Sequence, residues 1–183
     1  GKLQGQMHVL AEGIRLPSVK RDRWGYREVR DMIRFRRKDI LSKKIRPSSA
    51  SLSFLADAFE RVPDFCYLPQ GVTHQDMKPD NIIVDDRGQV HIIDFDNAYE
   101  DVLLVDLATT MIWTCFSQGK MNRSFMKALV SGYEEHRPLS EEEKSAFADV
   151  MKFRLLREAF AWPLRFSTED AIKKHQFFLA AYH

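Results

Sequence analysis

The stretch Thr73–Tyr99, THQDMKPDNIIVDDRGQVHIIDFDNAY, decides the fold. It holds two short β-rich runs, NIIV and QVHIID, apolar enough to read as buried strands. Between them DDRG has the acids and the glycine of a tight connection, so the segment reads as a β-hairpin. His74, Asp76, Asn81 and Asp94 crowd the ends of those runs. An antiparallel return sets the start of one strand beside the end of the other. Asn81 and Asp94 are therefore expected to be neighbours in space.

Outward from the hairpin the pattern is helical. GKLQGQMHVLAEGI carries Leu3, Met7, Leu10 and Ala11 at helical spacing, with Pro17 as its stop. Residues 24–46 read as a helix with an apolar stripe of Tyr26, Val29, Ile33, Ile40 and Leu41. After the break at RPSSAS, Ser51 or Ser53 is expected to cap a helix that Pro63 ends. CYLPQGVTH reads as extended and turn. From Val102 onward VLLVDLATTMIWTCF is apolar almost all round and predicts a central buried helix. RSFMKALVSGYEEH is amphipathic and ends at Pro138. Ser140 and Glu143 form an S-x-x-E capping box for a long helix through Ala161, which Pro163 is expected to break. STEDAIKKHQFFLAAYH starts one more helix. The fold class is α+β, predominantly helical, with one small hairpin that is too small to stand alone and must pack on helices.

With 183 residues and 44% apolar composition, the chain can bury a substantial core. No apolar run reaches the roughly 20 residues that span a bilayer, so a membrane partner is not expected. Cys66 and Cys115 form no CxxC or His/Cys ligand spacing and read as buried free thiols of a reducing cytoplasm. Residues 15–46 hold thirteen Lys/Arg and four Asp/Glu, a local charge of +9 against −7 elsewhere. This segment reads as a solvated helix face, or as a surface for an anionic substrate or acidic partner. Nucleic acid is the least favoured partner, because no nucleic-acid module accompanies the charge.

The polar cluster suggests a specific chemistry. An Asn side-chain oxygen beside a carboxylate is a hard oxygen pair. It suits Mg²⁺, which takes one or two carboxylates and fills its shell with water and phosphate oxygens. Asp76 lies on the loop that leads to Asn81, where a carboxylate can orient a hydroxyl and accept its proton. Protein kinases use H-R-D-x-x-x-x-N followed by D-F-G for these tasks. Here His74, Asp76 and Asn81 reproduce the H-x-D-x₄-N spacing, and Ile93-Asp94-Phe95-Asp96 follows the hairpin.

The chain thus resembles the protein-kinase-like superfamily, and more narrowly its aminoglycoside phosphotransferase, choline kinase and type II homoserine kinase branch. IDFD is similar to that branch's ending of the metal motif. VDLATTM (Val105 to Met111) resembles its Asp-Leu-Ala helix start, and GYEEHRPLSEEE its Gly-Tyr…Pro-Leu-Ser stretch. GKLQGQMHVL resembles the helix that follows the hinge between the lobes. No Ala-Pro-Glu triplet follows Asp94, which counts against a protein kinase. The branch usually has Gly where Gln75 stands, and often His or Asn where Lys78 stands.

The resemblance covers residues 1–165. It implies the C-terminal lobe of a kinase-like fold, with the catalytic loop and hairpin in 72–98 and a helical subdomain in 102–183. ATP is the implied co-substrate, Mg²⁺ the implied metal, and a small-molecule hydroxyl (aminoglycoside, choline, homoserine or a similar amino alcohol) the implied acceptor. Asp76 is expected to serve the acceptor hydroxyl, with Asn81 and Asp94 as metal ligands. Asp96 reads as an accessory ligand or a turn residue. Lys78 reads as a point-charge contact to the phosphoryl group or as a solvated lysine. His74 is expected to support the loop backbone and Asp106 to tie the loop by hydrogen bonds.

The sequence contains no G-x-G-x-x-G and no P-loop. A nucleotide-covering N-terminal lobe is thus expected to lie outside the 183 residues, and the chain by itself to have little or no activity. Acids considered for a cationic acceptor are Glu134, Glu135, Glu158 and Asp170. The alternative reading is a non-catalytic module with the same fold, as in spore-coat relatives of this branch.

Overall fold

The structure is a computed structural model that describes residues 1–16, 24–33, 49–117, 120–166 and 169–182. It divides into two compact units: the described parts of Gly1–Arg21 with Phe65–Val150, and those of Asp22–Asp64 with Met151–His183. The fold is α+β and predominantly helical, as expected.

The first unit carries helix α1 (Lys2–Ala11), strand β1 (Gln70–Thr73), the hairpin β2 (Ile82–Val84) and β3 (Val90–Ile92), and strand β4 (Tyr99–Val102). Helix α4 (Leu103–Thr114), the two-residue strands β5 (Phe116–Ser117) and β6 (Lys120–Met121), and helix α5 (Arg123–Glu134) follow. Three separate two-stranded antiparallel sheets are present among the described residues, rather than one hairpin. In the sheet that matters most, β1 pairs with β4 from Gln70↔Val102 to Thr73↔Tyr99. The whole segment between Thr73 and Tyr99 is therefore a loop excursion whose two ends are pinned together. Inside it β2 and β3 pair with Ile82 opposite Ile92. The connecting turn is closed by Asp85, whose Oδ1 accepts the N–H groups of Arg87 and Gln89, and by Gly88 at φ +75°.

The hairpin strands are not buried. Ile83, Val84 and Val90 are 47%, 62% and 48% exposed, and Ile93 and Phe95 are also open. An apolar strand pattern reports what a strand prefers to cover, not whether something in the same chain covers it.

Helix α4 is the central buried element. Ten consecutive residues, Leu103 to Ile112, are buried, as its all-round apolar sequence requires. Asp106, Thr109 and Thr110 are buried with them; the Thr109 hydroxyl donates one turn back, to Val105 O.

Helix α1 lies against α5 because Gly5 has no side chain. A Cβ there would stand 2.5 Å from the Tyr133 carbonyl oxygen. Asn122 caps α5, its Oδ1 accepting from Ser124 N and Phe125 N at 3.1 Å each. The predicted capping box is present: Glu143 N donates to Ser140 Oγ at 3.2 Å and Ser140 N to Glu143 Oε2 at 3.0 Å. It opens helix α6 (Glu141–Arg165).

The second unit holds helix α2, described over residues 26–33, helix α3 (Ser49–Glu60), the later part of α6 from Met151, and helix α7 (Glu169–Tyr182). Tyr26, Val29 and Ile33 are buried as the stripe predicts; residues 34–48, with most of the basic segment, lie outside the described residues. Helix α3 already begins at Ser49, so Ser51 and Ser53 lie inside it and are not its caps.

Helix α6 does not break at Pro163 but runs on to Arg165. A proline frees the carbonyl four residues before it, here that of Ala159. His175 on α7 donates its Nδ1–H to that oxygen at 2.7 Å, so the break is satisfied from outside the helix. Burial holds the imidazole of His175 below its ordinary pKa, against the raising effect of this hydrogen bond.

Replacing Gly5 by Ala should destabilise the protein, although Ala is the better helix former by about 1 kcal/mol. The added methyl meets a backbone oxygen that cannot turn away, and overpacking of this kind costs about 1–3 kcal/mol. Urea unfolding of Gly5→Ala is expected to show a lower midpoint; a raised midpoint would show that α1 and α5 do not meet this closely.

Candidate active site

The pinned β1–β4 ends deliver the loop that begins at His74. Asp106, fully buried in the first turn of α4, holds its backbone. The Gln75 N–H donates to Asp106 Oδ1 at 2.7 Å and the His74 N–H to Oδ2 at 3.2 Å. His8 Nε2 and Gln4 Nε2, both from α1, reach the same Oδ2 at 3.0 and 3.4 Å. Burial pushes the Asp106 carboxyl up. The hydrogen bond from His8, with the two loop amides, outweighs that and holds it below the usual value of 3.8.

Gln75 occupies the left-handed region at φ +66°. A non-glycine residue there costs roughly 1–2 kcal/mol. Its amide bond to Asp106 opposes that cost, as do two side-chain bonds from Nε2, to Thr73 Oγ1 at 2.8 Å and Asp101 Oδ2 at 3.1 Å. Glutamine thus stands where glycine would be the easier choice.

His74 links the loop to the hairpin. Its Nδ1 accepts the Asp76 N–H at 3.3 Å, so Nε2 carries the hydrogen and donates to Ile93 O at 2.8 Å. The Ile93 N–H in turn donates to Asn81 O at 3.1 Å. Both polar backbone groups of Ile93 are therefore fixed, one by each end of the loop. Asp94 follows at once in the left-handed conformation, φ +66°, which a short polar side chain tolerates. Asn81 is thus bonded through its backbone to the residue before Asp94. The Phe95 ring lies 4.6 Å from the His74 ring, centroid to centroid.

Around Asp76 the polar groups converge. Asn81 Nδ2 donates to Asp76 O at 2.8 Å and to its Oδ2 at 3.2 Å, and Lys78 Nζ pairs with the same Oδ2 at 2.8 Å. Of the Asp76 carboxylate, these two side chains engage only Oδ2. The amide nitrogen of Asn81 is spent on Asp76, so its Oδ1 is the end that could reach a cation. Asp94 and Asp96 are exposed, and Asp96 makes a further interaction of its own.

The described residues contain no group of three or more His, Cys, Asp or Glu side chains able to enclose a metal. One amide oxygen and one carboxylate could supply about a third of an octahedral shell. That fits Mg²⁺, which keeps waters and substrate phosphates as its remaining ligands, and does not fit a caged structural ion.

The four acids considered for a cationic acceptor are all engaged. Glu134 accepts from Leu139 N at 3.4 Å and Glu135 pairs with Lys2 at 2.7 Å. Glu158 pairs with Arg154 and Arg157 and accepts from Trp162 Nε1, and Asp170 pairs with Lys174. The residues that sequence reasoning missed are Gln4, His8 and Tyr133. The only signal they leave is three polar side chains on helix faces that the packing buries completely or nearly so.

The phosphotransferase enzyme family model matches residues 1–139, and the chain belongs to that family. A homoserine kinase of Phenylobacterium zucineum is 36% identical over 108 residues, which cover 57% of this chain and 33% of the relative. A homoserine kinase of Xanthobacter autotrophicus is 42% identical over 91 residues, 49% of this chain and 28% of the relative. The matched segment thus spans about a third of the length of these curated relatives. Among solved structures, the microcompartment-associated aminopropanol kinase superposes with a TM-score of 0.61 at 14% identity, over 99% of this chain and 58% of that one. Amicoumacin kinase hAmiN, solved with AMP-PNP, Ca²⁺ and Ami, gives 0.59 at 14% identity, over 99% and 56%. These likenesses establish a kinase fold.

The shift at Asp106 makes a pH prediction. A carboxyl held low in the folded state stabilises it fully above its unfolded pKa, and loses that contribution as pH falls through the folded value. Asp106→Asn should cost about 3 kcal/mol at neutral pH, since it leaves buried donors poorly matched. It should also flatten the loss of stability on acidification below the usual carboxylate range. Urea unfolding across pH checks both; an acid-side slope unchanged from wild type would contradict them.

Proposed function

We propose that this chain carries the catalytic loop of an ATP- and Mg²⁺-dependent phosphotransferase that moves the γ-phosphoryl group to a hydroxyl of a small molecule. Aminoglycosides, choline, homoserine and similar amino alcohols are the acceptor class. The observation that carries the reading is the convergence of Asn81 and Lys78 on Asp76, together with the hold of Asn81 O on the residue before Asp94.

In this reading Asp76 Oδ1 orients the acceptor hydroxyl and takes its proton, a role worth roughly 10²–10⁴ in rate. Lys78, paired to Asp76 at rest, turns to the transferred group as a point charge. Asn81 Oδ1 and Asp94 hold Mg²⁺, with Asp96 as an accessory ligand. When bound, the ion neutralises charge on the nucleotide phosphates. His74 and Asp106 touch no substrate and keep the loop in shape.

A nucleotide-covering lobe from sequence outside the 183 residues completes the site. The exposed apolar side chains of Val84 and Val90, a cross-strand pair on one face of the hairpin, support that, since they are fit for a packed neighbour. Among the described residues no helix is long and apolar enough to cross a membrane. Two free thiols, half-buried Cys66 and buried Cys115, fit a reducing cytoplasm.

The test is an acceptor screen with Mg·ATP on the protein extended by its native flanking sequence, beside the 183-residue chain alone. The extended protein should phosphorylate one or more amino alcohols, and Asp94→Ala should reduce turnover by about 10² or more. The short chain should turn over no ATP. Wild-type turnover by Asp94→Ala would sink the assignment of the metal site, and no transfer to any hydroxyl would favour the non-catalytic alternative.

A further inference from the structure

Asp106 is the end of a longer buried path. His8 Nε2 lies 3.0 Å from Asp106 Oδ2, and His8 Nδ1 lies 2.7 Å from the Tyr133 hydroxyl. Arg137 Nη1 lies 3.2 Å from that hydroxyl and 2.9 Å from Glu143 Oε1. Asp106, His8 and Tyr133 have no exposed surface, Glu143 is 1% exposed and Arg137 6%. The path runs from the capping box of α6, across α5 and α1, to the loop.

Donor and acceptor capacity fixes the direction of every bond in it. A guanidinium only donates, so the Tyr133 oxygen accepts from Arg137. Burial pushes the Tyr133 phenol well up, so it keeps its hydrogen. No further partner exists for that hydrogen among the described residues, and it goes to His8 Nδ1. His8 Nδ1 is then an acceptor and carries no proton. Nε2 faces an ionised carboxylate, which only accepts, so Nε2 bears the hydrogen. A doubly protonated His8 would leave the Tyr133 hydrogen with nowhere to go. The other groups facing this path are Gln4, whose Oε1 accepts from Thr110 Oγ1 at 3.0 Å, and Glu12, whose Oε2 lies 3.6 Å from Arg137 Nε. That Nε is buried and makes no hydrogen bond.

We propose that His8 is a positioning residue for the catalytic loop, locked as the Nε2–H tautomer by a one-way chain of hydrogen bonds, Arg137 to Tyr133 to His8 to Asp106. The chain presents Asp106 with a fixed, neutral donor. Its carboxylate keeps its charge and its remaining lone pairs for the amides of His74 and Gln75. Tyr133 and Arg137 act only through His8, and none of the three touches a reacting atom. The kinetic consequence rests on the phosphotransferase reading; the structural one does not.

Two measurements separate these. Histidine ¹⁵N spectra of the 183-residue chain near neutral pH should show His8 with Nδ1 unprotonated and Nε2 protonated. Tyr133→Phe, which keeps the ring and removes only the hydroxyl, should shift the Nδ1 resonance. It should also speed amide exchange at His74 and Gln75 by about fivefold relative to β1 and β4, the equivalent of one lost hydrogen bond. His8→Gln, which keeps a donor for Asp106, should show slower exchange at both amides than His8→Leu. In the extended enzyme Tyr133→Phe should lower kcat with nucleotide KM unchanged. A His8 protonated on Nδ1, exchange at His74 and Gln75 that is unchanged, or acceleration shared equally by all amides would overturn the proposal. If the extended protein transfers no phosphoryl group, the spectra and exchange rates still decide it.

Discussion

Asp106 accepts the backbone N–H groups of His74 and Gln75 from inside the first turn of α4, and the geometry of the loop depends on that contact. The apolar sequence of α4 forces the turn to be buried, so the carboxylate goes in with it. An isolated carboxylate in such a place would lose its charge. Four donors prevent this: two loop amides, His8 and Gln4. The arrangement works in both directions. The donors keep the carboxylate ionised, and the ionised carboxylate gives strong, charge-assisted acceptors to a loop that would otherwise be held by neutral bonds alone. The amide bond to that charge, with the two side-chain bonds of Gln75, opposes the cost of its left-handed backbone.

The second hold is at Ile93. Its N–H reaches Asn81 O and its carbonyl receives His74 Nε2–H. Asp76 and Asn81 on one side and Asp94 on the other are therefore set by a single peptide segment clamped at both faces. Between Asp106 and Ile93, His74 is the common member: its backbone belongs to the first hold and its ring to the second. Backbone bonds rather than side-chain attraction therefore fix where these residues stand. Preorganisation of this kind is what phosphoryl transfer requires of a protein.

Much of this is legible in the sequence, because its signals are local. The H-x-D-x₄-N spacing, the DDRG turn, the S-x-x-E capping box and the all-apolar α4 each span a few residues and need no partner. The parts that are not legible depend on distant partners. His8 meets Asp106 across 98 positions and Tyr133 across 125, and nothing around His8 in the sequence marks it. The pairing of β1 with β4 brings together QGVT, read only as extended chain, and YEDV, which carries two acids and no alternating pattern. Pro163 looks like a stop until His175, from another helix, takes the carbonyl it frees. The exposure of Ile83, Val84 and Val90 runs against their composition, for burial is a property of what surrounds a strand.

The central claim is that the Asn81 end of the loop and Asp94 form part of a divalent-cation site. Titration of the ¹⁵N-labelled chain with Mn²⁺, a paramagnetic stand-in for Mg²⁺, tests it directly. The amides of Asn81, Asp94 and Asp96 should broaden first, and Asp94→Ala should abolish that selectivity. Broadening centred on the Asp85 turn or on Glu141–Glu143, or broadening at Asn81 that survives Asp94→Ala, would contradict the account.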